Sequence, residues 1–217
     1  MSKKSIGIIG GSFNPIHIGH LVVAEEARVR FSLERVIFVP VGVPGYKKPT
    51  HLIDPERRFA MTLLATASNP HFFVSRIEID HFKKSYTYDT IKEFRKIYPE
   101  ESYNIYFITG ADSVLSILTW KKPRELLTMC CFIAATRPGY NLKRLKEKLK
   151  KICNKCDERV IIMRVPALSI SSTEIRNRIK EGLPIKYLVP EEVEEYIKKH
   201  NLYKEDDPWE ERKLIQF

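Results

Sequence analysis

The first forty residues restrict the fold more than any other stretch. An apolar run, Ile6-Gly7-Ile8-Ile9, ends at Gly10 and Gly11. Ser12, Phe13, Asn14 and Pro15 follow, and then a segment from His17 to Phe31 with apolar residues at helical spacing. A second apolar run, Arg35–Pro40 (RVIFVP), comes next. Strand, helix, strand at this spacing is a β-α-β unit. Its crossover is expected to be right-handed and its two strands parallel.

The same alternation runs on. The stretch VGVPGYKKPTHLID, rich in Pro, Gly and Lys, reads as an exposed loop. Asp54 is placed to cap a helix that opens at Pro55 and carries apolar residues on one face from Arg58 to Ser68. Phe72–Ile79 (FFVSRIEI) alternates like a strand, Tyr88–Tyr98 reads as a helix, and Tyr103–Thr109 as a buried strand ending at Gly110-Ala111-Asp112. A helix follows, then CFIAATRPG as a strand, Lys143–Cys153 as a basic helix, Arg159–Pro166 as a strand, and a helix from Ser171. This order predicts an α/β fold: a Rossmann-like, doubly wound parallel sheet with helices on both faces and a small C-terminal helical part. One domain is expected over residues 1–203, with a charged tail at 204–217.

The 217 residues are 43% apolar, enough for a sizeable core, and carry a formal charge of +10. That charge suits anionic partners such as nucleotides, or simply a surface rich in lysine. The basic residues are scattered and match no zinc-finger or RNA-binding motif, so nucleic acid is not the expected partner. The apolar run behind Met1-Ser2-Lys3-Lys4 is shorter than the roughly 7–15 residues of a signal-peptide core. No stretch reaches the ~18 apolar residues of a membrane span. A cytoplasmic protein is expected, without membrane contact; a homo-oligomer is compatible with the sequence. The four cysteines, Cys130, Cys131, Cys153 and Cys156, are then expected as free thiols. Cys153 and Cys156 have zinc-knuckle spacing, but alternate side chains of a strand at Cys130-Cys131 point to opposite faces.

Chemistry concentrates where the first strand gives way to the first helix. In an open parallel sheet, ligands bind at the carboxyl ends of the strands. Gly10, Gly11 and Ser12 sit there, and glycine lets the backbone approach a ligand closely. The helix that follows directs unpaired N–H groups and a partial positive charge at the same spot. His17 and His20, three apart, share one face of its first turn, and Gly19 between them leaves room. Two imidazoles at a helix N-terminus favour an anion. The run lacks the G-x-G-x-x-G of a dinucleotide site and the Gly-Lys-Ser/Thr of a Walker loop. Ser169-Ile170-Ser171-Ser172-Thr173-Glu174-Ile175-Arg176 opens a later helix. Ser171 and Glu174 have capping-box spacing, but three hydroxyls and an arginine exceed what a cap needs.

The run GGSFNPIHIGH resembles the nucleotidylyltransferase superfamily, and within it the bacterial nicotinate-mononucleotide adenylyltransferases. The late serine-threonine run is similar to the I-S-S-T-x-I-R motif of the same family. The resemblance implies ATP binding by Gly10, Gly11, Ser12, Phe13, Ile170, Ser171, Ser172 and Thr173, and catalysis by His17, His20 and Arg176. Ser85-Tyr86-Thr87-Tyr88-Asp89-Thr90 looks like the family's S-Y-T-x-D-T, which implies substrate contact at Tyr86 and Thr87; Thr87 or Asp89 could equally cap a helix. Gly110-Ala111-Asp112 resembles the turn that touches adenosine, and Asp112 could also cap. Trp120 resembles the aromatic that stacks on the nicotinate ring, or it is a core residue. Arg137 stands in an R-P-G run, to meet a phosphate or pair with an acid. Where the family often carries P-H-K, this chain has Tyr46 in place of the histidine and Lys47 as the cation, a phosphate contact or a solvated loop charge.

The implied reaction is adenylyl transfer from ATP to nicotinate mononucleotide, giving deamido-NAD and pyrophosphate in NAD biosynthesis. The nucleophile is already anionic, so the work is positioning and charge neutralisation, with His17 and His20 donating and at least one of them protonated. Mg²⁺ is expected to arrive with ATP, held by phosphate oxygens and water. Other acceptors, nicotinamide mononucleotide or pantetheine phosphate, are the nearest alternatives, and a basic nucleic-acid-binding protein a more distant one.

Overall fold

The computed structural model describes residues 3–45, 52–81, 83–136, 156–166 and 169–204. Its sheet strands are β1 (Lys4–Gly11), β2 (Arg35–Pro40), β4 (Phe72–Val74), β6 (Tyr103–Gly110), β7 (Cys131–Thr136) and β8 (Val160–Arg164). They form one six-stranded sheet in the order β4-β2-β1-β6-β7-β8. Numbered along the chain, that is 3-2-1-4-5-6, the Rossmann order. The parallel registers align Ile9 with Ile108, Phe107 with Phe132, and Ala134 with Ile162. The order reverses between β1 and β6, so Gly10-Gly11 and Gly110 lie at the ends of neighbouring strands at the switch point.

The chain divides into two compact units: Met1–Gly10, Val22–Ile37 and Tyr86–Ala167 form one, and Gly11–Leu21, Phe38–Ser85 and Leu168–Phe217 the other. In the first, Ile6, Ile8, Ile105, Ile108, Phe132 and Ile133 are buried strand residues. Helix α3 (Thr87–Ile97) turns Thr90, Ile91 and Phe94 inward, the 3–4 spacing that its amphipathic sequence announces. Its Arg95 donates to the carbonyls of Met129 and Tyr103, fixing the helix end to the loop before β7 and to the start of β6. Helices α4 (Ala111–Leu115) and α5 (Pro123–Met129) follow β6.

In the second unit, helix α2 (Pro55–Thr66) starts as its sequence dictates: the Asp54 carboxylate accepts the Glu56 N–H at 2.7 Å, and Pro55 occupies the first turn. Its buried residues are Arg58, Met61, Thr62, Ala65 and Thr66, and the helix packs against β4 and against α7 (Glu191–Lys199), which buries Val193 and Ile197.

Two expectations change. The strand read over Phe72–Ile79 stops at Val74. Beyond it the Arg76 carbonyl accepts from Ile79 N and Asp80 N, and a turn replaces the extended chain. The loop after β2 contains a two-residue strand, β3 (Val43–Pro44), paired in parallel with β5 (Lys84–Ser85). Gly42 leads into it because nothing larger fits: a Cβ there would lie 2.0 Å from the Glu78 carbonyl oxygen. The strand read from Cys131 through Gly139 is described only to Thr136. The basic helix read at Lys143–Cys153 lies outside the described residues, as does the tail beyond Lys204.

Candidate active site

Helix α1 (Ile18–Arg30) begins one residue after His17. His17 is therefore its N-cap and His20 the third residue of its first turn. The ring of His20 reaches back: its Nδ1 accepts the His17 backbone N–H at 3.2 Å. This is the geometry of a capping box, with imidazole in place of the usual glutamate. Because Nδ1 accepts, the neutral ring carries its proton on Nε2. The two imidazoles stack, centroids 3.7 Å apart and planes at 26°, and Phe13 meets His20 edge-on at 5.1 Å. Burial, and next the neighbouring His17, push the His20 pKa well below its ordinary value. His20 is thus a neutral Nε2–H donor in the free protein, whereas the expectation was that at least one of the two rings is protonated. A charge on His20 would lose hydration against the Phe13 ring and the stacked His17 imidazole, so burial favours the neutral ring.

The loop feeding this corner has its carbonyls tied outward. Gly11 O accepts from Val41 N at 2.9 Å, Ser12 O from Arg58 Nη1 at 2.9 Å, Asn14 O from Arg176 Nη1 at 2.8 Å, and Pro15 O from Ser172 Oγ at 2.9 Å. In a planar trans peptide the C=O and the next N–H point to opposite sides. The amides of Ser12 and Phe13 therefore face away from those partners, as an anion cradle requires. Phe13 itself is fully buried with φ of 45°, a conformation L-residues seldom adopt and one that functional loops retain.

The serine-threonine run meets this loop directly. Ser171 caps helix α6 (Ser172–Lys180), accepting the Glu174 N–H at 3.1 Å, so the capping role holds. Ser172 Oγ–H donates to the Pro15 carbonyl oxygen. Thr173 Oγ1 accepts from Arg176 Nη2 at 3.3 Å. A Cβ on Gly19 would come within 3.9 Å of Ile170 Cβ. Gly11, Ser12, Phe13, His17, His20, Ile170, Ser171, Ser172, Thr173 and Arg176 thus gather in the second unit, though they come from opposite ends of the sequence. Arg176 is half-buried, which lowers its pKa. It keeps one arm on Thr173 and one on Asn14.

The first unit carries the other sequence candidates. Gly110 ends β6 and is itself the cap of α4, while Asp112 is exposed inside the first turn rather than capping it. Thr87 and Asp89 do not cap α3 either: its cap, Tyr86, has no side-chain cap bond. Asp89 instead pairs with Lys121 at 2.7 Å, and the Lys121 ammonium lies 5.1 Å from the Tyr86 ring centroid. Trp120 is half-buried against Phe107 and Phe132, with Nε1–H donating to Ser116 Oγ at 3.2 Å. It packs as a core residue on one side and keeps the rest of its ring available. Lys47, Tyr46 and Arg137 lie outside the described residues. So does Cys153, while Cys130 and Cys131 carry free thiols. Among the described residues no three His, Cys, Asp or Glu side chains gather as a metal-holding group.

Three residues of the site escaped the sequence reading: Arg58, Asn14 and Tyr203. The Arg58 guanidinium is fully buried and donates to Ile53 O, Ser12 O and Gly42 O. Burial lowers its pKa to about 10. Its position three, four and seven residues before Met61, Thr62 and Ala65 put an arginine on the apolar face of α2, and that is the signal that could have found it.

A family model described as cytidylyltransferase-like matches residues 8–178. A probable nicotinate-nucleotide adenylyltransferase of Thermoanaerobacter sp. (strain X514) is 55% identical over 202 residues, 93% of this chain and 95% of the relative. One of the same name from Moorella thermoacetica is 56% identical over 199 residues, 92% and 91% of the two chains. Among solved structures, the Plasmodium falciparum nicotinic acid mononucleotide adenylyltransferase complexed with NaAD superposes with a TM-score of 0.75 at 25% identity, over 92% of this chain and 97% of that one.

Proposed function

The chain belongs to the cytidylyltransferase-like family, among its nicotinate-nucleotide adenylyltransferases, and from that premise we propose that it transfers the adenylyl group of ATP to nicotinate mononucleotide. The observation that carries the proposal is the direct bonding of its two phosphate-binding motifs: Ser172 Oγ to Pro15 O at 2.9 Å and Arg176 to Asn14 O at 2.8 Å. The Plasmodium relative was solved with NaAD, and again with APC at a TM-score of 0.73.

In the reaction, a 5′-phosphate oxygen of nicotinate mononucleotide attacks the α-phosphorus of ATP. The new O–P bond forms as the bond to the bridging oxygen of the β-phosphate breaks, and pyrophosphate leaves with that electron pair. No proton need be removed from the nucleophile. The chain's contribution is to hold two anions together and to meet the charge that develops on the α- and β-phosphate oxygens. His20 donates Nε2–H to those oxygens, with His17 beside it. The amides of Ser12 and Phe13, together with Gly10 and Gly11, accommodate the triphosphate backbone. Ser171, Thr173 and Arg176 hold the departing pyrophosphate, and Lys47 bridges phosphates. Gly110 and Asp112 contact the adenosine; Tyr86, Thr87, Trp120 and Arg137 serve the mononucleotide.

The side chains gathered here are hydrogen-bond donors and cations rather than carboxylates. They fit a divalent cation only as ATP brings it, on phosphate oxygens and water. Bound that way, Mg²⁺ supplies further charge neutralisation. We place the enzyme in the cytoplasm; among the described residues no helix is long and apolar enough to cross a membrane.

The deciding experiment supplies ATP and Mg²⁺ with nicotinate mononucleotide, nicotinamide mononucleotide or pantetheine phosphate in parallel, following pyrophosphate and dinucleotide. The acid is expected to turn over fastest. Equal or faster use of another acceptor replaces the assignment, and no pyrophosphate with any of them removes it.

A further inference from the structure

The loop between Gly11 and His17 is braced by two buried groups that adenylyl transfer does not use. One is Arg58. It is 0% exposed and sends Nε to Ile53 O at 3.0 Å, Nη1 to Ser12 O at 2.9 Å and Nη2 to Gly42 O at 3.3 Å. The other is Tyr203, 6% exposed, whose hydroxyl donates to Asn14 Oδ1 at 3.1 Å across 189 positions of sequence. The same oxygen accepts the Ile53 N–H at 3.4 Å. Asn14 is 5% exposed, and its carbonyl takes the Arg176 guanidinium.

We propose that Tyr203 is a positioning residue for the adenylyl transfer assigned above, acting through Asn14, with Arg58 as the second brace of the same loop. The proposal rests on that assignment. A buried guanidinium is costly to desolvate, and among the described residues its hydrogen bonds go to three main-chain carbonyls. What they achieve is geometric: one planar fork fixes the loops after β1 and β2 and the entry to α2 relative to one another. There is an electrostatic effect too. A charge-assisted bond to Ser12 O polarises the Ser12–Phe13 peptide and makes the Phe13 N–H a stronger donor to an anion.

Tyr203 completes the frame from the far end of the chain. It fills a space that phenylalanine could fill equally, so its hydroxyl is the informative part. That hydroxyl sets the side-chain rotamer of Asn14, the residue between Phe13, which contacts His20, and Pro15, which contacts Ser172. A loosened Asn14 moves both at once. Donors must be held to within a few tenths of an ångström of their productive position, roughly 3 Å from the developing charge, to lower the barrier. Slack in this loop therefore reaches the rate before it reaches the fold.

The test uses the full-length chain with Tyr203→Phe, Asn14→Ser and the double variant. Losing one hydrogen bond of this kind corresponds to roughly a three- to tenfold fall in kcat. We expect that fall in Tyr203→Phe, with KM for ATP and for nicotinate mononucleotide within about twofold of wild type. The double variant is expected to be no slower than Asn14→Ser alone. In NMR titration, His20 of Tyr203→Phe moves up towards its ordinary pKa as its packing loosens. Arg58→Lys keeps the charge, loses the fork, and is expected to lower kcat further. Wild-type kcat in Tyr203→Phe, or losses that multiply in the double variant, overturns the role of Tyr203; wild-type kcat in Arg58→Lys overturns that of Arg58. Should wild type itself form no dinucleotide, the functional assignment fails, while the His20 titration still reports whether Tyr203 positions the loop.

Discussion

Gly19 and the imidazole of His17 compete for one space: a Cβ on Gly19 would lie 3.1 Å from both Cε1 and Nδ1 of that ring. The glycine of the H-x-G-H run thus suits its neighbour as well as any ligand, since a side chain there would push the ring aside by a few tenths of an ångström. A methyl group there displaces the buried His17 ring, and the stacked His20 ring with it. Gly19→Ala is expected to fold and to lose about 10-fold or more in kcat/KM, the penalty of a misplaced donor. Gly110 is its opposite: a Cβ there meets nothing within 4 Å. Gly110→Ala should keep the wild-type Tm, so a raised KM for ATP in that variant reports direct contact with the nucleotide.

His20→Ala removes the Nε2–H donor from the phosphate corner. A donor of this kind is worth about 10²–10³ in kcat. The variant is expected to retain its circular dichroism spectrum and to lose that factor in steady-state pyrophosphate release. Turnover at the wild-type rate would remove His20 from the mechanism.

The depressed pKa of His20 has two measurable consequences. The unfolded chain binds a proton near pH 6.5, whereas the folded chain resists it to lower pH. Stability from the neutral ring is therefore fully present above about pH 6.5 and is lost as pH falls through the folded value. The Tm of wild type should decline from pH 7.5 to 5 more steeply than that of His20→Gln. ATP reverses the shift, since a polyanion against the ring favours its cation. Calorimetry near pH 6 in buffers of different ionisation enthalpy should show proton uptake on ATP binding by wild type and less by His20→Gln. Equal uptake by both places the triphosphate elsewhere.

Ser171→Ala separates capping from ligand contact. The lost bond to Glu174 N costs about 1 kcal/mol of stability. Ser171→Asp restores a cap but brings a negative charge. We expect alanine to lower Tm by a few degrees with a modest rise in KM for ATP, and aspartate to recover Tm while raising that KM further. An aspartate variant with wild-type KM would show that Ser171 only caps.

What the sequence determined by itself is whatever depends on neighbours along the chain. The period of apolar residues predicted β2 at Arg35–Pro40 to the residue. Asp54-Pro55 and Ser171-x-x-Glu174 announced two helix starts, because caps are local hydrogen bonds. The run GGSFNPIHIGH announced the anion site, because a strand end, glycines and a helix N-terminus are consecutive there. Tertiary structure decided the rest. FFVSRIEI alternates to its end, yet extended chain persists only to Val74, since alternation records polarity and not whether a strand edge is within reach. Pairing between Val43-Pro44 and Lys84-Ser85 spans 41 positions and has no local signature. Asn14 and Tyr203 look unremarkable singly, and Arg58 stands out only as a charge on the apolar face of its helix. Their roles arise from hydrogen bonds across 46, 39 and 189 positions, and a bond of that span is set by how the chain packs, not by the residues on either side of it.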